Sequence, residues 1–174
     1  MCIRDSSKGD TLKEAYHLFY LDKAKRQLWL QCYEGLYYLD VDKPQNQAKL
    51  PISTKSRRFT TTTSLDSGNK IIYGCPVSGI TGLEVIKEQN ETWTIDTISL
   101  KSLGSPFVLQ AIIDKKKSVW LASNKGLIAY NKNHPEKSIL FKQKNDENVG
   151  FWNGVFIDDH TIALSSYNNG LFFF

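Results

Sequence analysis

Four Gly-Leu pairs punctuate the chain, Gly35-Leu36, Gly82-Leu83, Gly126-Leu127 and Gly170-Leu171, at spacings of 47, 44 and 44 residues. Upstream of each pair stands an apolar residue followed by Asp: Leu21-Asp22, Leu65-Asp66, Ile113-Asp114 and Ile157-Asp158. The Asp-to-Gly intervals are 13, 16, 12 and 12, so the second unit carries a short insertion, "CPVSGIT", ahead of its Gly-Leu. Two independent markers agree on one period, and a period of this length signals a repeat architecture whose units bury their apolar surfaces by stacking.

Within a unit the markers separate short apolar runs. In the third these are "FVLQAIID", "SVWLAS" and "GLIAYN", followed by "SILFKQ". Four such runs joined by short turns make an antiparallel meander, one blade of a β-propeller. The expected fold is all-β: a partial β-propeller of about four consecutive four-stranded antiparallel blades in an open arc, over residues 12–53, 59–98, 107–144 and 151–174, with the last blade incomplete. Blades pack face to face, so their middle strands are covered on both sides and read as continuous apolar runs, as "LWLQC" and "LIAY" do. Asp at the end of a first strand accepts hydrogen bonds from turn amides. Gly before Leu supplies the positive backbone angle of a tight hairpin, and the Leu fills the layer between blades. The helix formers of "TLKEAYHLFYLDKAKRQLWL" offer a competing amphipathic helix; the register of Asp22 with the other three Asp residues makes Tyr16–Leu21 a first strand instead.

In this register Trp29, Ile72, Trp120 and Ala163 share one slot, and three residues on Cys32, Cys75, Ser123 and Ser166 share another. Sheets pack about 10 Å apart while a disulfide needs Cα atoms within about 7 Å, so Cys32 and Cys75 are expected to be buried free thiols. His17, His134 and His160 share no metal-ligand spacing, and neither a metal nor a cofactor is expected. The net charge of +4 is modest, and the basic clusters Lys23–Arg26, Lys55–Arg58 and Lys115–Lys117 are separate. They read as solvated turns, so nucleic acid is not an expected partner.

The opening "MCIRDS" resembles the read-through translation of a sequencing-library adapter. Residues 1–6 are accordingly expected to be adapter-derived and 7–174 to be a fragment of one propeller domain. Propellers close with four to eight blades, and "LFFF" ends on an apolar strand, so a larger parent ring is expected.

"SVWLASNKGLIAYNK" resembles the two-component-regulator propeller repeat. Trp120, Ser123, Gly126, Leu127 and Tyr130 match its core, as do Trp29, Cys32, Gly35, Leu36 and Tyr38; the second unit departs around its insertion and the fourth lacks the tryptophan. The resemblance implies a non-catalytic sensor propeller outside the cytoplasm, joined to further blades, a membrane anchor and a histidine kinase or DNA-binding output. It also implies a parent able to dimerise and an oligosaccharide or other small extracellular ligand.

A ligand is expected on the face that gathers the inter-blade loops and the hairpins between second and third strands. Candidate binding residues there are Tyr33, Arg57, Arg58, Asn124, Lys125, Trp152, Asn153, Tyr167 and Asn168. Aromatic rings stack on sugars, and Asn and Arg hydrogen-bond hydroxyls, although turns carry such residues for backbone reasons too. A protein-interaction scaffold is the alternative function. Enzymatic readings fare worse: "SLDSGNKI" resembles a sialidase Asp-box without its Thr and Trp, and the scattered histidines supply no lyase centre. Asp158-Asp159-His160 is the one dense acid-base cluster, and it falls in a turn opposite the candidate face. No catalytic residue is expected.

Overall fold

A computed structural model describes residues 15–22, 26–32, 35–43, 64–66, 71–74, 82–89, 92–143, 149–166 and 169–174. These form four antiparallel meanders in sequence order. Blade 1 holds β1 (Ala15–Asp22), β2 (Gln27–Cys32) and β3 (Gly35–Asp40). Blade 2 holds β4 (Ser64–Asp66), β5 (Ile71–Gly74), β6 (Leu83–Gln89) and β7 (Thr92–Ile98). Blade 3 holds β8 (Val108–Ile113), β9 (Val119–Ser123), β10 (Gly126–Tyr130) and β11 (Ile139–Phe141). Blade 4 holds β12 (Phe151–Phe156), β13 (Ile162–Ser166) and β14 (Leu171–Phe173). The first strands touch one another in the order β1, β4, β8, β12, so the blades fan around a common axis in an open arc. The helix-prone N-terminal segment is strand β1, its propensity overridden by pairing with β2. The expected fourth strand of blade 1 falls within residues 44–53, outside the described residues.

Two apolar clusters lie between blades. One joins Tyr73, Leu83 and Val85 of blade 2 to Ala111, Val119, Leu121, Ile128 and Tyr130 of blade 3. The other joins Ile112, Ala122 and Leu127 of blade 3 to Phe151, Ile162 and Leu164 of blade 4. Each blade thus has a front, facing the next blade in sequence, and a back, facing the previous one. Leu83 and Leu127 of the Gly-Leu pairs belong to the front and are buried there as expected. In blade 3 both middle strands are almost continuously buried, because alternate side chains enter different interfaces.

One front position carries an aromatic that meets an aromatic of the following blade edge-on. Trp29 meets Trp93 at 5.6 Å, Tyr73 meets Tyr130 at 6.4 Å and Trp120 meets Phe156 at 6.2 Å between ring centroids. This corrects the register of blade 2. Tyr73 pairs with Val85 as Trp29 pairs with Tyr38 and Trp120 with Ala129, so Tyr73, not Ile72, occupies the tryptophan slot. The insertion of residues 75–81 hid the one-residue difference. Cys75 and the side chain of Cys32 lie outside the described residues, and with them the expected thiol pair.

The Asp markers are equivalent in three blades and displaced in one. Asp114 N–H donates to Ser118 O at 3.1 Å, and the matching bond in blade 4 runs from Ile157 N–H to Thr161 O at 2.9 Å. Asp158 therefore stands one residue later in its turn. Both carboxylates still close their turns. Asp114 Oδ1 accepts from Ser118 N–H at 2.8 Å, and Asp158 Oδ1 accepts from His160 and Thr161 N–H at 2.7 Å each.

The glycines of the hairpins have the expected positive φ, +134° at Gly82 and +135° at Gly126, and a second reason to lack a side chain. A Cβ on Gly126 would lie 2.3 Å from Phe141 O, and one on Gly82 2.4 Å from Ile98 O, because the end of the outer strand passes directly over the hairpin. Gly170, at φ +83°, has nothing within 4 Å. Gly126→Ala is therefore expected to lower unfolding stability by about 3 kcal/mol or more, since strain and a backbone collision add. Gly170→Ala is expected to cost only about 1–2 kcal/mol from its backbone angle. Urea unfolding of the two variants, read by far-ultraviolet circular dichroism, checks the contrast.

Candidate functional site

The mouth of the arc is shaped by an irregularity that three first strands share. Val108 opposes Ser123 and Gln110 opposes Ala122, leaving Leu109 as an extra residue; the same step leaves Trp152 between Phe151 and Asn153, and Tyr16 between Ala15 and His17. A β-bulge bends its strand and re-aims the extra side chain. Tyr16, Leu109 and Trp152 thus hold one repeated position at the start of the innermost strand, beside the hairpins of the middle strands. Trp152 is 42% exposed there, and Asn153 beside it is exposed.

The residue after each bulge is polar: His17, Gln110 and Asn153. Gln110 Oε1 accepts from Gly154 N–H of blade 4, tying neighbouring innermost strands together. Gly154 permits this approach, since a Cβ would lie 2.4 Å from Leu164 Cδ2 and 2.9 Å from Ile112 Cδ1. Asn153 is on the strand beyond that link and faces solvent.

The tip of the β9–β10 hairpin has a bracing role. Asn124 Oδ1 accepts from Phe107 N–H at 2.8 Å and Asn124 N–H donates to Phe107 O at 3.0 Å. Lys125 Nζ donates to Gly104 O at 2.6 Å, and Ser123 Oγ both donates to Gly126 O and accepts from Lys125 N–H. These bonds pin the hairpin to the connection between blades 2 and 3. Gly150, leading into blade 4, packs on the Asn124 backbone, where a Cβ would stand 2.9 Å from its Cα. Among the nine residues expected at a ligand face, the structure brings Asn124, Lys125, Trp152 and Asn153 to one end of blades 3 and 4. Tyr33, Arg57, Arg58, Tyr167 and Asn168 lie outside the described residues. Leu109 and Phe107, the latter exposed at the same end, escaped the sequence reading because apolar residues in an apolar strand carry no mark of a bulge.

Asp158-Asp159-His160 occupies the opposite end of blade 4. Asp159 pairs with Lys115 of blade 3 at 2.7 Å, raising the lysine's pKa, so the cluster joins two turns. Backbone N–H groups of His160 and Thr161 and the Thr161 hydroxyl hold Asp158 below the usual carboxylate range. Burial pushes Asp114 up, but its Ser118 and Trp120 donors outweigh this and its pKa is lowered. Among the described residues no group of three or more His, Cys, Asp or Glu side chains is placed to hold a metal ion.

The four meanders, fanned around a common axis, define a β-propeller fold, with its innermost strands presenting side chains at one end. No family model matches the chain, and no curated protein matches it in sequence. Its fold is similar to that of three solved structures. One is described as the extracellular domain of a hybrid two-component system, BT4673, of B. thetaiotaomicron (TM-score 0.69, 18% identity, 99% of this chain and 23% of that one). The second is PorZ, a surface component of the type-IX secretion system of Porphyromonas gingivalis (TM-score 0.64, 13% identity, 98% and 28%). The third is YCF48 of Cyanidioschyzon merolae (TM-score 0.62, 13% identity, 98% and 57%). The chain spans about a quarter of the first two proteins' lengths and just over half of the third.

Two outcomes follow from the site's bonds. Asn124→Ala should lower stability by about 1 kcal/mol through loss of its bond to Phe107 N–H, while Asn153→Ala leaves the urea midpoint unchanged. Asp114 and Asp158 have depressed folded pKa values, so their stabilisation is complete above the unfolded value near 4 and is lost as pH falls through the folded values. The urea midpoint should hold from about pH 7 to about pH 5 and drop below about pH 4, with a shallower drop in Asp114→Asn.

Proposed function

We propose that this chain is part of an extracytoplasmic, non-catalytic ligand-sensing propeller of a bacterial two-component sensor, and that it recognises an oligosaccharide at the mouth of the blades. The observation that carries this reading is the bulge that turns Trp152 outward beside Asn153. An exposed indole next to a free-standing amide combines a stacking surface with a donor and an acceptor, the pairing that a sugar ring and its hydroxyls require. The bracing of Asn124 and Lys125 keeps the hairpin end fixed beside that pair, so the surface is formed before a ligand arrives. The likeness in fold to the extracellular domain of a hybrid two-component system supports a sensor over an enzyme, and the sequence resemblance points the same way.

The test is a glycan array followed by calorimetry on the best ligand. Wild-type chain is expected to bind an oligosaccharide, and Trp152→Ala to weaken binding about tenfold, or 1.4 kcal/mol. Asn153→Ala should weaken it less. Folded chain that ignores every glycan but captures a defined peptide would replace the sensor reading with a protein-binding scaffold.

A further inference from the structure

Blade 3 has a neighbouring blade on each side, and its mouth end still holds an aromatic ring in water. Phe107, the residue before β8, is 41% exposed between the buried Pro106 and Val108. It belongs to neither of the apolar clusters between blades. Its backbone is held from two sides: Asn124 bonds both its N–H and its carbonyl, and a parallel bridge joins it to Gly82 of blade 2. The stacking of blades does not call for this ring. Val108 and Phe151 stand opposite Ser123 and Ser166, so the position of Phe107 is occupied in blade 4 by Gly150. Blade 4 thus omits the side chain that blade 3 displays.

An exposed amide stands beside the ring. Asn124 Oδ1 accepts from Phe107 N–H at 2.8 Å, which leaves the NH2 half of the amide as a donor at the mouth. Ring and amide together repeat the combination that Trp152 and Asn153 form on the next innermost strand. Those two strands, β8 and β12, touch. Phe107 lies two residues before the bulged Leu109, whose position corresponds to that of Trp152. Two residues along a strand and one blade across set the rings about 10 Å apart, farther than a single sugar unit reaches.

We propose that Phe107 is a second stacking surface of the same mouth, and that the mouth therefore selects oligosaccharides longer than a disaccharide. This inference rests on the reading of Trp152 and Asn153 as a sugar site. A ligand with one unit over Trp152 continues toward blade 3 before another unit covers Phe107, where the Asn124 NH2 group meets a hydroxyl. The backbone bonds of Phe107 fix its place before binding, so the second contact needs little further ordering of the protein. Once the first unit is held, the second contact forms within one complex, and its gain is open only to a chain long enough to span both rings.

The experiment is titration calorimetry with cello-, malto-, xylo- and manno-oligosaccharides, each as disaccharide, tetrasaccharide and hexasaccharide, with circular dichroism to verify folding. Wild-type chain should bind the hexasaccharide of at least one series about tenfold more tightly than its disaccharide. Phe107→Ala should remove that gain and leave disaccharide affinity unchanged, whereas Trp152→Ala should weaken binding at every length. If Phe107→Ala unfolds, Phe107→Leu takes its place, since it keeps an apolar side chain without a ring face. Phe107→Trp should keep the preference for length. Equal affinity at all lengths, a preference that survives Phe107→Ala, or a Phe107 variant that weakens all lengths alike would overturn the proposal and leave the reading of Trp152 standing. Absence of binding in every series would overturn both.

Discussion

No blade of this chain can bury its own sheet. A meander of three or four short strands has two apolar faces and no interior, so each middle strand depends on neighbours at front and back. The edge-on aromatic contacts of Trp29, Tyr73 and Trp120 express this dependence at one repeated position. Each such contact adds about 0.5–1.5 kcal/mol beyond the area it covers, and each fixes the height at which one blade meets the next. The Leu of the Gly-Leu pair follows two positions away on the same face, which is why Gly and Leu recur together. Gly lets the outer strand cross the hairpin, and Leu uses the space so defined.

The first interface departs from this pattern. Glu84 stands where blade 3 has Ile128 and is itself buried, on the side of blade 2 that faces blade 1. A buried carboxylate demands compensation that an aliphatic side chain does not.

The arc was legible in the sequence because the repeat registers on residues with backbone duties. Gly82, Gly126 and Gly170 all have positive φ, and Asp114 and Asp158 both close turns. Strand β1 could be told from a helix only through that register. Counting failed where a turn could absorb a residue: the insertion before Gly82 moved Ile72 into the slot of Tyr73, and Asp158 closes its turn from one position later than Asp114. The site was less legible. Asn124 and Lys125 are what a ligand-facing hairpin tip would show, and equally what a brace on Phe107 and Gly104 requires. Trp152 was visible as an aromatic at a strand start, but the bulge that turns it outward is a property of pairing across two strands, with no residue type of its own.

The braces and the bulges divide the work at the mouth. A hairpin held by Asn124, Ser123 and Lys125 is tied to the connection between blades. Gln110 is committed likewise, to Gly154 N–H across the inner edge. In blade 4 the bulge sets Trp152 between Phe151 and Asn153, and both Trp152 and Asn153 are exposed there. The first strand thus presents side chains at this end alongside the hairpins. A single extra residue there alters what the mouth presents without disturbing the front and back surfaces on which the stacking of blades depends.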